Sequence, residues 1–485
     1  MSEQQQQPGP DGGATDDGRT GGTGRGATSR RRLLQAGLLA GAAVGAGGWQ
    51  RAAVAPASPA LARGHLRRPG SLPNPGLPAG TDTIPQIRHI VVLAMENHSY
   101  DNKLGMLARR GADGFRLGRN GRPLATNPYA NGDLQHAFHM PTNCQLSGKP
   151  SQTWQDSHTS FARGRNDGFV KSASGPVAMG YWDHSDQPFY YSVARQFPIA
   201  DRYFCSVLGQ TFPNRRYLIS ATSIGMVNDG VPGLDDYPAN GTIFDRLDSA
   251  GVSWKDYCSL GAVLSTTQLY PKLYLRNVGS RVVPISHFYD DAAAGRLPGF
   301  SLVEPDYLTD SEEDPQNIAV GEHFAARVIN AVLAGPGWKH TLLIWTYDEH
   351  GGYYDHVPPP AALAPDDIPP DVPASQTYKG FAQYGFRVPC AVISPWARRG
   401  YVSHRVFDHT SICALAEAKW NLPAMTRRDA NANNMLDMLD LRRPAFASPP
   451  RLARPLLDTD PGTLTCLVTG PGTIPPPGSI SPPPG

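Results

Sequence analysis

The sequence predicts an α/β protein in which helices flank a mainly parallel central sheet. Three short apolar runs, at residues 90–95, 342–347 and 388–394, are continuous rather than alternating and end in polar or turn residues. Such runs are typical of parallel strands that are buried on both faces. Helical stretches fall between the runs, and strands that alternate with helices favour an α/β sandwich.

Two amphipathic segments supply flanking helices. Residues 321–334 place apolar side chains at helical spacing along one face. These side chains are Phe324, Ala325, Val328, Ile329 and Val332. Residues 242–250 form a second segment, in which Thr242 is suited to cap the first turn and Gly251 to end the last. Ligands of such folds bind beyond the carboxyl ends of the strands, so the polar residues that follow each apolar run are the candidates for a functional site.

The composition indicates a globular protein with many loops. The chain has 485 residues, of which 18% are charged and 9% aromatic, and it shows no internal repeat. Six of the 44 basic and four of the 42 acidic residues lie within residues 1–62, so the remaining chain carries 38 of each. This balance argues against a polybasic surface, and we expect no nucleic-acid partner.

The two ends of the chain differ in composition from the middle. Arg30, Arg31 and Arg32 precede an apolar run rich in Ala and Gly, which predicts a twin-arginine signal peptide at residues 1–62, handled by the twin-arginine translocase. A Pro- and Gly-rich linker at 63–85, a catalytic domain at 86–469 and a disordered Pro-rich tail at 470–485 complete the predicted organisation. We therefore expect a secreted, extracellular protein. All six cysteines lie beyond the signal, where buried thiols and one to three disulfides are both open.

Two pairs of adjacent residues with side-chain oxygens, each with at least one carboxylate, follow two of the predicted strands, and we call them the acidic pairs. Glu96 and Asn97 come directly after the first run, and Asp348 and Glu349, followed by two glycines, come directly after the second. Adjacent carboxylates at the mouth of a sheet repel each other, and a divalent cation offsets that repulsion. The set is all oxygen, which suits Ca²⁺ or Mg²⁺, with Mn²⁺ possible. Zn²⁺ stays open because histidines at positions 350 and 356 are near in sequence.

A third segment, SVLGQTFPNRR, offers a nucleophile. A threonine hydroxyl attacks only when a metal or base removes its proton, and a nearby arginine can hold phosphate oxygens bidentately. Thr211 and Arg215 have these roles within one segment. His158, among turn residues, is a candidate for protonating a leaving oxygen or binding phosphate.

Taken together and in this order, these segments resemble the phosphoesterase family that contains phospholipases C and acid phosphatases. The resemblance runs from about residue 87 to about residue 441 through IRHIVVLAMENHSYDN, DRYFCSVLGQTFPNRRYLISATS, GEHF, TYDEHGGYYDHVPPP, VPCAVISPWARRGYVSH with DHTSI, and TRRDANA. It implies an alkaline-phosphatase-like α/β fold and a single metal beside the nucleophile. The implied metal ligands are Glu96, Asn97, Thr211, Asp348 and Glu349.

The resemblance also implies a mechanism. Thr211 attacks phosphorus, a phosphothreonine forms, and water hydrolyses it, with His158 and Arg215 as further catalytic residues. Asn214, His350 and His356 are expected to bind substrate or phosphate. Phospholipases C of this family often carry a histidine-proline element ahead of the helix before the DE block. Here residues 312–317 read EEDPQN, which leaves His287, His350 and His356 as alternatives for the leaving-group acid.

The expected function is therefore cleavage of phospholipid head groups by a metal-dependent phosphoric ester hydrolase. A phosphomonoesterase of the same family is the main alternative, because the same metal and nucleophile can cleave monoesters or diesters. A sulfatase ranks below both, since threonine cannot give the formylglycine that those enzymes use. A non-catalytic protein that binds lipid or a surface is a minor alternative. The expected partners are a phospholipid or small phosphoester substrate and, transiently, a membrane surface.

Overall fold

The computed structural model describes residues 66–144, 150–259 and 265–457. Within these ranges the strands are β1 His89–Met95, β2 Thr126–Pro128, β3 Leu134–His136, β4 Phe138–His139, β5 Gly180–Tyr181, β6 Ile199–Ala200, β7 Trp254–Cys258, β8 Val282–Pro284, β9 Phe300–Val303, β10 Thr341–Tyr347, β11 Cys390–Ile393 and β12 Val402–Ser403. The α-helices are α1 Tyr100–Leu104, α2 Trp154–Phe161, α3 Pro188–Gln196, α4 Thr211–Ser220, α5 Ile243–Ser249, α6 Pro271–Asn277, α7 Ser286–Ala293, α8 Ile318–Ala334, α9 His409–Trp420 and α10 Arg427–Ala430. Short 3₁₀ helices lie at Ala162–Gly164, Gly175–Met179, Thr266–Leu269, Trp338–His340, Ala374–Gln376 and Leu436–Met438.

An eight-stranded sheet forms the centre of the fold. Its strand order is β12-β6-β11-β10-β1-β9-β7-β8. The pairs β1 with β10, β1 with β9, β7 with β9, β7 with β8, and β6 with β12 are parallel. Helix α8 packs against β1 and β10, while α4 packs against α9 and α5. The predicted α/β architecture with a mainly parallel sheet is therefore confirmed.

One predicted strand runs in the opposite direction from the one expected. The apolar run at 388–394 forms β11, which pairs antiparallel with both β10 and β6. Its continuous apolar sequence reflects burial on both faces of the sheet, and an antiparallel strand that is covered on both faces needs the same pattern as a parallel one. The run therefore predicted burial correctly and direction wrongly.

The two predicted helices are both present. Helix α8 begins at Ile318, three residues before the predicted start, because the Asn317 side chain accepts a hydrogen bond from the Ala319 amide. Helix α5 has the predicted Thr242 cap, and its Thr242 and Asp245 side chains bond reciprocally to each other's backbone amides as a capping box.

The described part of the predicted linker lies against the folded body. Within residues 66–85 the Gly70 amide donates to Ala424 O over 2.8 Å, and the Thr83 amide donates to Lys419 O over 2.7 Å. This stretch has neither helix nor strand but is fixed to the loops around α9. The predicted signal peptide and the Pro-rich tail lie outside the described residues. Within the described ranges, no helix combines the length and the apolar character that crossing a bilayer requires.

Buried thiols account for most of the cysteines in the described residues. Cys205, Cys258, Cys390 and Cys413 are buried and free. Cys144 is disulfide-bonded.

A buried ion cluster ties the chain after β1 to the chain after β10. The Arg387 guanidinium contacts Asp355 Oδ1 at 2.8 Å and Asp101 Oδ1 at 3.1 Å. His356 Nδ1 lies 2.7 Å from Asp101 Oδ2, and its Nε2 lies 3.2 Å from Asp113 Oδ1. Burial opposes the charge on His356, but the two aspartates outweigh burial and raise its pKa to about 10. We call these five residues the Arg387 cluster.

The Arg387 cluster predicts a pH-dependent stability. Because the pKa of His356 is raised on folding from its ordinary value of about 6.5, its charge stabilises the fold fully below that value. The contribution is lost as the pH rises through about 10. We expect the difference in free energy of unfolding between wild type and His356→Gln to be largest at low pH and to shrink towards pH 10. Urea unfolding followed by circular dichroism at about pH 5.5, 8 and 10 measures it.

The matched control is His404→Gln. His404 also contacts an aspartate, with Nδ1 2.8 Å from Asp201 Oδ1, but its side chain is exposed. Exposed ion pairs contribute little, so this variant should show a small difference at every pH. A difference for His356→Gln that stays constant with pH would contradict the assigned charge.

Candidate active site

The register of the two central strands brings the acidic pairs together. Met95 pairs with Tyr347 at the ends of β1 and β10, so Glu96 and Asp348 leave the sheet side by side. The backbone amide of Asn97 then donates to Asp348 Oδ1 over 3.3 Å. Parallel strands end at the same sheet edge, and for this reason residues separated by about 250 positions meet here.

Two glycines allow the DEHGG loop to close on the chain after β1. Gly351 has φ +65°, and a β-carbon at this position would lie 1.9 Å from Asn97 O. Gly352 has φ +81°, and a β-carbon there would lie 2.6 Å from the Ser151 amide nitrogen. Both positions therefore require glycine, as the sequence predicted for a close backbone approach.

The Asn97 side-chain amide meets two carboxylate oxygens at this edge. Its terminal atom on this side lies 3.1 Å from Asp348 Oδ1 and 2.9 Å from Glu349 Oε1, and the amide orientation that places its nitrogen there donates a hydrogen bond to each carboxylate. The opposite orientation places its oxygen there, and the three acceptors then need a cation between them. Neighbouring oxygens of an octahedral Mg²⁺ site, with bonds of about 2.1 Å, lie about 3 Å apart. The spacing of these side chains fits a divalent cation.

Thr211 adjoins the three oxygens from the first turn of α4. Its side chain is buried, and its Oγ1 lies 3.4 Å from Asn97 Oδ1. Asn214 fixes the loop that leads into the helix, because its Oδ1 accepts from the Val207 amide at 3.0 Å and its Nδ2 donates to Gln210 O at 3.0 Å. The Asn214 side chain thus positions the threonine, and its contact with substrate stays a prediction.

Arg215 lies one turn along α4 on the same side as Thr211. Its Nε contacts Asp348 Oδ2 at 3.0 Å, and its Nη2 contacts Glu96 Oε1 at 3.3 Å. Its Nη1 lies 3.6 Å from Glu304 Oε2. The guanidinium is buried and its donors face carboxylates. In this arrangement Arg215 offsets part of the negative charge of the acidic pairs, and its role as a catalytic residue on phosphate stays a prediction.

The electrostatics of the site favour an additional positive charge. Burial and then repulsion from Asp348 raise the pKa of Glu96 and that of Glu349 well above the ordinary value. Burial likewise raises the pKa of Asp348, although Arg215 opposes the shift. Three buried carboxylates, those of Glu96, Glu304 and Asp348, face one guanidinium, and the buried Glu349 adds a fourth carboxylate beside them. A bound divalent cation would hold these groups in their charged forms.

Several residues around the acidic pairs were not predicted from the sequence. Glu304 and Tyr307 follow β9, and the Tyr307 ring centroid lies 4.8 Å from the Arg215 guanidinium carbon. His409, at the start of α9, contacts Asp348 O through Nε2 at 2.6 Å, and burial lowers its pKa to about 4. The signal for Glu304 was the same as for Glu96, a carboxylate after an apolar run, but β9 is only four residues long.

The predicted histidines occupy three different environments. His158 lies on α2, bonds Trp154 O through Nδ1 at 2.7 Å and stacks on Tyr378 with ring centroids 3.9 Å apart. His350 is buried, with Nδ1 3.1 Å from Glu349 Oε2, and burial lowers its pKa to about 3. The contact with Glu349 does not have the geometry of a hydrogen bond, and neither ring nitrogen of His350 has a hydrogen-bond partner within the described ranges. His356 belongs to the Arg387 cluster, where both ring nitrogens face aspartates.

Two further groups of three ligand-type side chains occur in the described residues. Asp101, Asp355 and His356 form one, and it is already neutralised by the Arg387 guanidinium. His139, Asp183 and Asp186 form the other, near the surface. The first is the core of a structural ion network, whereas the acidic pairs are the set that also adjoins a hydroxyl, that of Thr211.

Comparison with known proteins places this site in a family. The family model described as "Phosphoesterase family" matches residues 87–423. Phospholipase C B of Mycobacterium tuberculosis is 33% identical over 434 residues, covering 79% of this chain and 83% of the relative. Non-specific phospholipase C1 of Arabidopsis thaliana is 32% identical over 379 residues, covering 71% of this chain and 69% of the relative.

Among solved structures, a protein of the alkaline phosphatase superfamily from Vibrio parahaemolyticus matches with a TM-score of 0.33 and 13% identity, covering 62% of this chain and 72% of that chain. The sequence relationships are much stronger, since the matched family segment spans more than two thirds of the chain. The chain belongs to the phosphoesterase family and is a hydrolase that acts on phosphoric ester bonds.

Proposed function

We propose that this protein is a secreted, metal-dependent phospholipase C that removes phospholipid head groups and uses Thr211 as its nucleophile. The observation that supports this most directly is the buried Thr211 hydroxyl, 3.4 Å from the Asn97 side-chain amide that faces Asp348 and Glu349. The relatives that cover most of the chain carry the name phospholipase C. Export rests on the twin-arginine pattern at the N-terminus.

Glu96, Asn97, Asp348 and Glu349, together with Thr211, would hold the metal. When bound, a divalent cation lowers the pKa of a nearby hydroxyl and offsets the negative charge of a phosphoryl group. The all-oxygen character of the set favours Ca²⁺ or Mg²⁺, with Mn²⁺ next. The His350 imidazole beside Glu349 keeps Zn²⁺ as an alternative.

The chain's own residues orient the attack. Asn214 fixes the loop before α4, so Thr211 Oγ1 is held at one position at the positive end of the helix dipole. Oγ1 gives up its proton and attacks phosphorus in line with the leaving oxygen, the Oγ1–P bond forms, the bond to diacylglycerol breaks, and the diacylglycerol oxygen takes up a proton. Water then cleaves the phosphothreonine and releases the phosphorylated head group. Arg215 keeps Glu96 and Asp348 in place throughout.

Thr211 provides the first test. We expect Thr211→Ala to lower kcat by at least about 10³-fold, because it removes the atom that attacks phosphorus. Thr211→Ser, which keeps a hydroxyl, should retain measurable activity. The assay uses p-nitrophenyl phosphate, p-nitrophenylphosphorylcholine and phosphatidylcholine, each with and without a chelator.

The substrates separate the alternatives. Release of diacylglycerol from phosphatidylcholine supports a phospholipase C, whereas cleavage confined to p-nitrophenyl phosphate replaces it with an acid phosphatase. Full activity of Thr211→Ala on a substrate that wild type cleaves would eliminate the proposed nucleophile. The matched control is Thr377→Ala, since this half-buried threonine ends the 3₁₀ helix Ala374–Gln376 and its hydroxyl donates to Ala374 O.

Glu349 tests the metal site through a readout other than activity. Glu349→Gln removes one negative charge with almost no change in shape, and we expect metal retained after dialysis to fall at least about tenfold. Elemental analysis of the dialysed protein measures it. Glu417→Gln is the control, because Glu417 is also buried with a raised pKa but lies on α9. Equal metal content in Glu349→Gln and wild type would remove Glu349 from the ligand set.

A further inference from the structure

A loop beside the nucleophile is fixed at both ends to α4. At one end, Asp229 Oδ1 accepts from the Phe212 amide at 2.8 Å, directly after Thr211. At the other end, Asp236 Oδ2 accepts from Arg216 Nη2 at 2.7 Å, directly after Arg215. We call residues 229–236 the apolar loop. These two contacts hold it at a set position relative to the start of α4.

The apolar loop presents large apolar side chains to solvent. Val231 is 96% exposed and Leu234 is 70% exposed, and both stand between the two fixed ends. Leu308 is 59% exposed on the segment after β9, next to Tyr307, whose ring stacks on Arg215. A single exposed apolar residue is ordinary in a soluble protein. Here three belong to two segments that both contact α4 near its first two turns.

The charge of the apolar loop selects among possible partners. Asp235 is almost fully exposed and pairs with the exposed Lys272 across 2.7 Å, and Asp236 pairs with Arg216. Asp229 adds a third carboxylate, and residues 229–236 contain no basic side chain. The loop therefore offers no unpaired cation to the negative potential of an anionic membrane, whereas a zwitterionic surface needs none.

We propose that Val231 and Leu234, with Leu308, are the surface on which the protein docks to zwitterionic phospholipid membranes. This inference rests on the proposed function, since it supplies the route by which a membrane substrate reaches Thr211. Apolar side chains that enter the interfacial region of a bilayer gain stability by leaving water. Because the loop is fixed to α4, entry of Val231 and Leu234 sets the distance between the bilayer and the nucleophile. The rigid attachment also limits the ordering cost of binding.

The test is the double variant Val231→Ser/Leu234→Ser, which leaves the Asp229 and Asp236 contacts in place. We expect its binding to phosphatidylcholine vesicles, measured by cosedimentation in a Thr211→Ala background, to fall at least tenfold. Hydrolysis of vesicle phosphatidylcholine should fall in parallel. Turnover of soluble p-nitrophenylphosphorylcholine should stay within twofold of wild type. Leu308→Ser should weaken vesicle binding in the same direction.

Leu77→Ser is the matched control. Leu77 is 43% exposed, and its carbonyl accepts from Asn421 Nδ2 at the C-terminal end of α9, whereas the N-terminal end of α9 contacts Asp348. It therefore lies a full helix length from the acidic pairs, and its replacement should leave vesicle binding unchanged. Loss of vesicle binding equal to that of the double variant would show that any exposed leucine acts in the same way and would overturn the proposal.

The remaining outcomes separate the docking surface from the chemistry. Unchanged vesicle binding by the double variant overturns the docking surface, and so does an equal loss of activity on the soluble ester. If wild type cleaves the soluble diester but does not bind vesicles, the docking surface is wrong while phosphodiester hydrolysis stands. If wild type cleaves neither diester and the double variant still loses vesicle binding, the docking surface stands and the proposed function fails. Tighter binding to vesicles that contain phosphatidylglycerol would overturn the choice of a zwitterionic surface.

Discussion

The organisation of this site depends on repulsion among buried carboxylates. Glu96, Asp348 and Glu349 meet at one sheet edge, where little solvent screens them, and their raised pKa values record the cost of that arrangement. Arg215 offsets part of it through contacts with two of the three. A bound cation would offset more, and it would link the stability of these loops to the affinity for metal.

Helix α4 connects these requirements. Its first residue is Thr211, its second turn carries Arg215, and Asn214 closes the loop that precedes it. The Thr211 hydroxyl, the Arg215 guanidinium and the Asn214 side chain thus belong to one helix and keep fixed positions relative to one another. The Arg387 cluster has a corresponding role for the opposing loops, because it joins Asp101 after β1 to Asp355 after β10. Buried ion pairs thus hold the site from two sides. Removal of one partner of such a pair lowers the stability of the fold strongly, because the other charge is left buried and uncompensated.

Much of the fold and the acidic centre could be predicted because both depend on strand ends. Carboxylates after two apolar runs indicated a common sheet edge, and in-register pairing of β1 with β10 fulfils that expectation. The direction of β11 could not be predicted, since burial alone sets its composition. The contacts of Arg215 with carboxylates could not be predicted either. Its spacing of four residues from Thr211 predicts a shared helix face, but sequence does not say whether substrate or carboxylates occupy that face. The sequence likewise did not predict that the His158 ring stacks on Tyr378 or that both ring nitrogens of His356 face aspartates.

The state of the thiols has a consequence for where the protein completes folding. Cys205, Cys258, Cys390 and Cys413 are buried and unbridged, and burial raises their pKa values, so few thiolates form and oxidants find little to react with. The interior around these four residues therefore needs no oxidant to assemble, whereas the disulfide of Cys144 does.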